Sequence, residues 1–135
     1  MSEVKRAGGC MCGAIRFRAL GEPNRVGICH CTTCQQSSGS AFHVFAVYPR
    51  DKVDLEGEPT AFVAARVQRL FCPKCGSSIG SLDEAGEIDI TLGLFDKQPD
   101  FRPDYELFIE SRAHWLPQIE GVSRHAEHRD GVQYD

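Results

Sequence analysis

Cys29-His30-Cys31-Thr32-Thr33-Cys34-Gln35-Gln36-Ser37-Ser38-Gly39-Ser40-Ala41-Phe42 places three cysteines within six residues, followed by a polar run with a single glycine. Three thiolates are one short of a closed tetrahedral zinc site. Zinc held by three protein ligands keeps its fourth position for water or substrate, which is what separates catalytic sites from structural ones. Whether the shortfall is real depends on the other cysteines. The chain has seven, and an odd number cannot all pair internally. The remaining four fall as Cys10 and Cys12 and as Cys72 and Cys75. Close pairs like these read as metal ligands in a reducing compartment.

Gly8-Gly9-Cys10-Met11-Cys12-Gly13 puts two cysteines at i and i+2. On a strand their side chains share a face, so one ion can take both. Cys72-Pro73-Lys74-Cys75-Gly76 has the two-residue spacing of a zinc knuckle, with Gly76 supplying a positive φ at the bend. Together the pairs make a set of four thiolates, suited to zinc at sulfur distances of about 2.3 Å. A metal joining them would clip the N-terminal part of the chain to its middle, and structural zinc supplies ~10–16 kcal/mol of apparent binding energy. Free buried thiols are the plain alternative.

In the triplet, Cys29 and Cys31 again share a face on an extended segment, His30 points the other way, and Cys34 swings back from the start of a turn. Three outcomes stay open. The fourth position takes water or substrate. It is closed by His30, His43 or a carboxylate. Or the thiols carry no metal. Gln35, Gln36, Ser37, Ser38 and Ser40 are either hydrogen-bonding groups beside a polar ligand or ordinary turn residues. His114 has the same ambiguous status as His43. Trp115, the only tryptophan, is expected with Phe108 in the core or in a pocket wall. Arg16, Arg18, Arg66 and Arg69 could meet an acidic substrate, although solvated strand faces account for each.

Around these motifs the chain is short segments of β-rich or alternating residues between Gly and Pro turns, which indicates a mainly β domain with little helix. Strands are expected over 14–20, 25–31, 42–48, 52–55, 60–64, 66–71, 79–82, 87–94 and 105–109. One helical turn is expected over 32–38, ended by Gly39. Ile88, Ile90 and Leu92 alternate with Asp89, Thr91 and Gly93, so that strand should turn one face to the core. At 135 residues one domain is expected over 1–120, with a loose, exposed tail over 121–135 where apolar content fades. Apolar content of 41% and charged content of 25% are those of an ordinary globular protein. A formal charge of −4 argues against a nucleic-acid surface. No apolar run approaches the ~20 residues of a membrane span. The polar N-terminus offers no secretory h-region, so a cytoplasmic location is expected. Oligomeric state is not legible.

The three cysteine motifs in this order, with Phe71 and Ser77 flanking the knuckle, Gly39-Ser40-Ala41-Phe42 after the triplet, and more weakly Leu92-Gly93 and residues 111–116, closely resemble the glutathione-dependent formaldehyde-activating enzyme family, also called the centromere protein V family. The resemblance implies a β-tent fold of small antiparallel sheets around a structural zinc at Cys10, Cys12, Cys72 and Cys75. It also implies a second, catalytic zinc at Cys29, Cys31 and Cys34. The activity it implies is of the carbon–sulfur lyase type. A thiol such as glutathione adds to formaldehyde to give S-hydroxymethylglutathione. Glutathione-contacting residues lie outside the motifs and are not carried over. A zinc-stabilised binding or chaperone-like module without turnover is the competing expectation.

Overall fold

The computed structural model describes residues 3–64 and 66–129. Among these the chain runs through β1 (Lys5–Gly9), β2 (Arg16–Leu20), β3 (Arg25–Cys29), α1 (Thr32–Ser38), β4 (His43–Pro49), β5 (Val53–Glu56), β6 (Thr60–Ala64), β7 (Val67–Phe71), β8 (Ser78–Leu82), β9 (Glu87–Thr91), β10 (Tyr105–Leu107) and β11 (Ser123–Arg124), with 3₁₀ turns at Arg50–Lys52, Leu92–Leu94 and Ile109–Ser111. The protein is mainly β, as its sequence indicates. The helix is a single short one that ends where Gly39 takes up the left-handed conformation at φ 69°.

Two sheets form. One has three strands in the order β1-β2-β5, the other eight in the order β11-β10-β3-β4-β9-β8-β7-β6. All ladders are antiparallel except those of β10, which pairs in parallel with both β3 and β11. Asp104 makes that docking possible. Its backbone N–H donates to Val26 O (2.7 Å), and its carboxylate accepts from Val26 N (2.8 Å). This clasp sets β10 beside β3 as the chain returns.

The main core lies between the sheets. Phe17 and Ala19 from the small sheet, with Ile15 just before β2, meet Ala46, Tyr48, Leu70, Ile79, Ile88 and Ile90 from the large one. Ile88 and Ile90 are fully buried, as the alternation expects, but the strand ends at Thr91, and Leu92 lies partly buried in a 3₁₀ turn rather than continuing it. The opposite face of the large sheet is not given to water. Phe45 and Val47 alternate with Ala46 and Tyr48 along β4 and join Cys29, Cys34, Tyr105 and Leu107 in a second apolar cluster. Both faces of β4 are thus covered, which is why its sequence reads as an unbroken apolar run.

Three expectations need correcting. Cys10 and Cys12 do not sit on a strand. β1 stops at Gly9, and Cys10 to Gly13 form a turn closed by Gly13 N donating to Cys10 O (3.1 Å). Trp115 is neither core nor pocket wall but 63% exposed. The described part of the tail is exposed or half-buried, as expected, but it is not loose throughout: β11 pairs with β10, and His125 N donates to Glu106 O (2.9 Å). Residues 130–135 of that tail lie outside the described residues.

Candidate metal centres and active site

The four-cysteine set assembles from two turns. After the turn at Cys10, Ile15 N donates to Cys10 Sγ at 3.2 Å. At the knuckle, Gly76 takes φ 79° and donates its N–H to Cys72 O (2.9 Å). Ser77 stitches the two turns together, because its Oγ accepts from Met11 N and lies against Cys75 Sγ, both at 3.1 Å. The sulfurs of Cys10 and Cys12 are 3.6 Å apart and those of Cys12 and Cys72 3.7 Å. Four sulfurs around one zinc at bond lengths of about 2.3 Å stand about 3.8 Å apart at the edges of the tetrahedron, so the spacing fits. All four lie within 4.8 Å of one another, and none is in a disulfide.

The acid–base state of these thiols also calls for a cation. Hydrogen bonding to Ser77 draws Cys75 down to about 5. At Cys12 the Ala14 N–H favours the thiolate, but burial and the neighbouring thiols outweigh it and push Cys12 up to about 11. One thiolate forms readily and the next resists, since like charges at this distance repel. A divalent ion removes that conflict.

The three-cysteine set is built on the link from β3 to α1. Cys29 ends β3. Cys31 caps α1 at its N-terminus, its Sγ accepting from Cys34 N at 3.3 Å, and Cys34 lies in the first turn. The three sulfurs lie within 4.8 Å of one another, and no other Cys, His or carboxylate among the described residues joins their group. Hydrogen bonds from Cys29 and Cys34 pull Cys31 down to about 2, while Cys29, donating to Cys31, is pushed far up. The donor set therefore fits zinc for the same reason as the first.

His30 is not a fourth ligand. It points to the other side of the chain, fully buried, with Nε2 at 2.8 Å from Glu106 Oε1. Glu106 also accepts from Arg112 Nε at 2.9 Å, and Arg112 donates onward to Leu116 O and Pro117 O. Burial opposes ionisation of Glu106, yet Arg112 and His30 outweigh it and hold the carboxyl below its usual range. Gln35 adds a further tie, Nε2 to His30 O at 2.7 Å. The triplet is thus backed by a buried charged network joining α1 to the C-terminal segment. Glu106 and Arg112 were not singled out in the sequence, although a glutamate inside the apolar run Tyr105-Glu106-Leu107-Phe108-Ile109 is a visible anomaly.

The front of the triplet opens on a cavity of about 380 Å³. His43 pairs in register with Cys29 and is buried in the cavity wall, stacked on Phe45 at 5.4 Å. Burial first, and Arg69 second, push it down to about 4, so it is a neutral imidazole at ordinary pH. Arg69 reaches in from β7. Its guanidinium donates to Ser37 Oγ (3.1 Å) and lies 3.8 and 3.9 Å from Cys34 Sγ. Arg16 and Arg18, by contrast, pair with Asp96 and Glu56 on the exposed face of β2. Phe108, also in the cavity wall, holds a strained left-handed backbone at φ 55°.

Two sheets meet at a cluster of four cysteines, and a second cluster of three faces a cavity; both are groups that could hold a metal ion. The chain belongs to the glutathione-dependent formaldehyde-activating enzyme family, whose model matches residues 5–111. An uncharacterized lyase of Schizosaccharomyces pombe is 32% identical over 74 residues, a match that covers 53% of this chain and 53% of that protein. The chain therefore matches about half the length of that relative. A Rhodobacter sphaeroides protein of known crystal structure shares the fold, with TM-score 0.55 at 16% identity over 70% of this chain and 91% of that one. No helix among the described residues is long and apolar enough to cross a membrane.

Proposed function

We propose that this protein is a zinc-dependent enzyme of the carbon–sulfur lyase type, joining a thiol to formaldehyde or a related small aldehyde, or running the reverse. Glutathione is the thiol that the family's name suggests. The observation that carries the reading is the three-cysteine group set in a cavity wall with no fourth protein ligand among the described residues, beside a second group that has four. The name of the yeast relative points the same way. In this reading Cys10, Cys12, Cys72 and Cys75 hold a structural zinc, and Cys29, Cys31 and Cys34 a catalytic one.

In the reaction the thiol sulfur bonds to the aldehyde carbon, the carbonyl π pair moves to oxygen, and the thiol proton ends on that oxygen. Cys29, Cys31 and Cys34 would hold the zinc, whose positive charge would favour the thiolate and polarise the aldehyde. Three thiolates outweigh a divalent ion by one charge, so the guanidinium of Arg69 beside Cys34 restores neutrality at the site. His43, neutral and facing the cavity, offers a hydrogen bond to the oxygen that gains the proton. Phe45, Tyr105 and Phe108 exclude water around the reacting atoms.

The test is exchange NMR on mixtures of glutathione and isotopically labelled formaldehyde. The metal-loaded protein should speed interconversion of free and adducted aldehyde, and Cys31→Ser should abolish the effect while keeping one zinc. A protein loaded at both sites that leaves the exchange rate at its uncatalysed value would overturn the enzyme reading in favour of a binding module.

A further inference from the structure

The large sheet ends on one side at β6, Thr60-Ala61-Phe62-Val63-Ala64. A sheet edge is a template for another strand, and soluble proteins blunt it with charge, proline, shortness or a cover. The other edges of the two sheets are blunted in these ways. β11 has two residues. β5 carries Asp54 and Glu56. β1 begins Lys5-Arg6 and is partly covered by Asp96, whose N–H donates to Ala7 O (2.9 Å). β6 has no charge, no proline and, among the described residues, no cover. Phe62 and Val63 are each 65% exposed although they lie on opposite faces. Phe71 of β7, diagonal to Phe62 on one face, extends the exposed apolar surface.

We propose that β6 pairs with β6 of a second copy of this chain, antiparallel about Phe62, so that two large sheets become one. The hairpin fixes which backbone groups are free. Ala64 and Val67 are its closing pair. Ala64, Phe62 and Thr60 therefore spend their N–H and C=O on β7, and Ala61 and Val63 turn theirs outward. A two-fold axis through Phe62 sets Ala61 opposite the partner's Val63, and each such pair exchanges both N–H···O bonds. Phe62 meets the partner's Phe62 in the closer, non-hydrogen-bonded position, which suits an aromatic pair. The ends of the strand select the same register. Glu58 before it and Arg66 after it are exposed and have no ion pair among the described residues. The Phe62 axis brings each beside the opposite charge of the partner, a self-complementary pattern that a second copy satisfies. An axis through Ala61 would set Pro59, which has no N–H, opposite Val63, and an axis through Val63 would separate the charges. Thr60, Phe62 and Ala64 share one face, and Ala64 lines the cavity. The partner's Thr60 comes opposite Ala64 and lengthens that wall. Five residues a side are fewer than the about 20–30 of a standard interface, so the association is expected to be reversible.

The test is sedimentation velocity on the zinc-loaded protein from micromolar to millimolar concentration, which should show a monomer–dimer equilibrium. Phe62→Lys sets two ammonium groups face to face and should weaken dimerisation about tenfold or more. Glu58→Arg should also weaken it, and the exchange Glu58→Arg with Arg66→Glu should restore it. Phe62 and Glu58 are exposed, so unchanged melting and zinc content verify that the variants are folded. In a mixture of isotopically labelled and unlabelled protein, the Phe62 Hα of one copy should show a nuclear Overhauser effect to that of the other, since this pairing brings the α-carbons to about 4.5 Å. A protein that stays monomeric at millimolar concentration would overturn the proposal. So would a dimer that lacks this contact or that Phe62→Lys leaves intact. A monomer whose β6 amides gain protection from hydrogen exchange only when a foreign extended peptide is added would overturn it in favour of a strand from another protein.

Discussion

Removing one thiolate from each centre should separate the two by stability. The clip joins Cys12 to Cys72 across 60 positions of sequence. Closing a loop of that length removes chain entropy from the unfolded state worth about 4 kcal/mol at 25 °C. The triplet closes only residues 29–34, for which the same relation gives about 2 kcal/mol. Domains of this kind have about 5–15 kcal/mol in all. Cys72→Ser should therefore forfeit a large share of the total and lower the melting temperature by about 10 °C or more. Cys31→Ser should cost about half as much and leave a cooperative transition. The assay is urea denaturation of zinc-loaded protein, followed by circular dichroism and fluorescence together, with zinc counted in each variant. Equal losses for the two variants, or a larger loss for Cys31→Ser, would refute the division into a structural clip and an open site.

Glu106→Gln should cost about 3–5 kcal/mol by denaturation, because it strips the buried partner from Arg112 and His30. The same change should weaken zinc at the triplet 10- to 100-fold in chelator competition, since His30 lies between two of the ligands. His43 stays neutral in the fold down to about pH 4, while the unfolded chain takes up its proton near 6.5. The unfolded state then binds more protons, so stability should fall by up to about 3 kcal/mol as pH drops from 6.5 to 4, and His43→Gln should flatten that slope. Trp115→Ala should change stability by less than about 0.5 kcal/mol, because the ring is largely in water.

The grouping of the cysteines into a set of four and a set of three was legible in sequence, because thiol spacing is a strong local signal and the count left no eighth partner. The strands with β-branched and aromatic residues were legible for a similar reason, and so was the turn of helix that Gly39 ends. What escaped depends on contacts between distant segments. β1 is Lys-Arg-Ala-Gly-Gly, a poor strand former, and is a strand only because all five residues pair along β2. The parallel docking of β10 depends on Asp104 meeting Val26, across 78 positions. Arg16, Arg18 and Arg69 look alike in sequence, each on an alternating strand. Only the tertiary fold, which places β7 across from α1, carries Arg69 to Cys34, while the other two pair with Asp96 and Glu56 on an exposed face. Asp89 alternates with core isoleucines and would be taken for a solvated position, but its face of the sheet lines the cavity instead.

The central claim is that the triplet is an open zinc centre that takes a thiol as its missing ligand. X-ray absorption at the zinc edge, recorded on protein with two zincs bound before and after addition of glutathione, measures this directly. The account predicts an average sulfur number between three and four in the resting protein, rising to four with the thiol. An average of four before addition, or a spectrum that glutathione leaves unchanged, would contradict it.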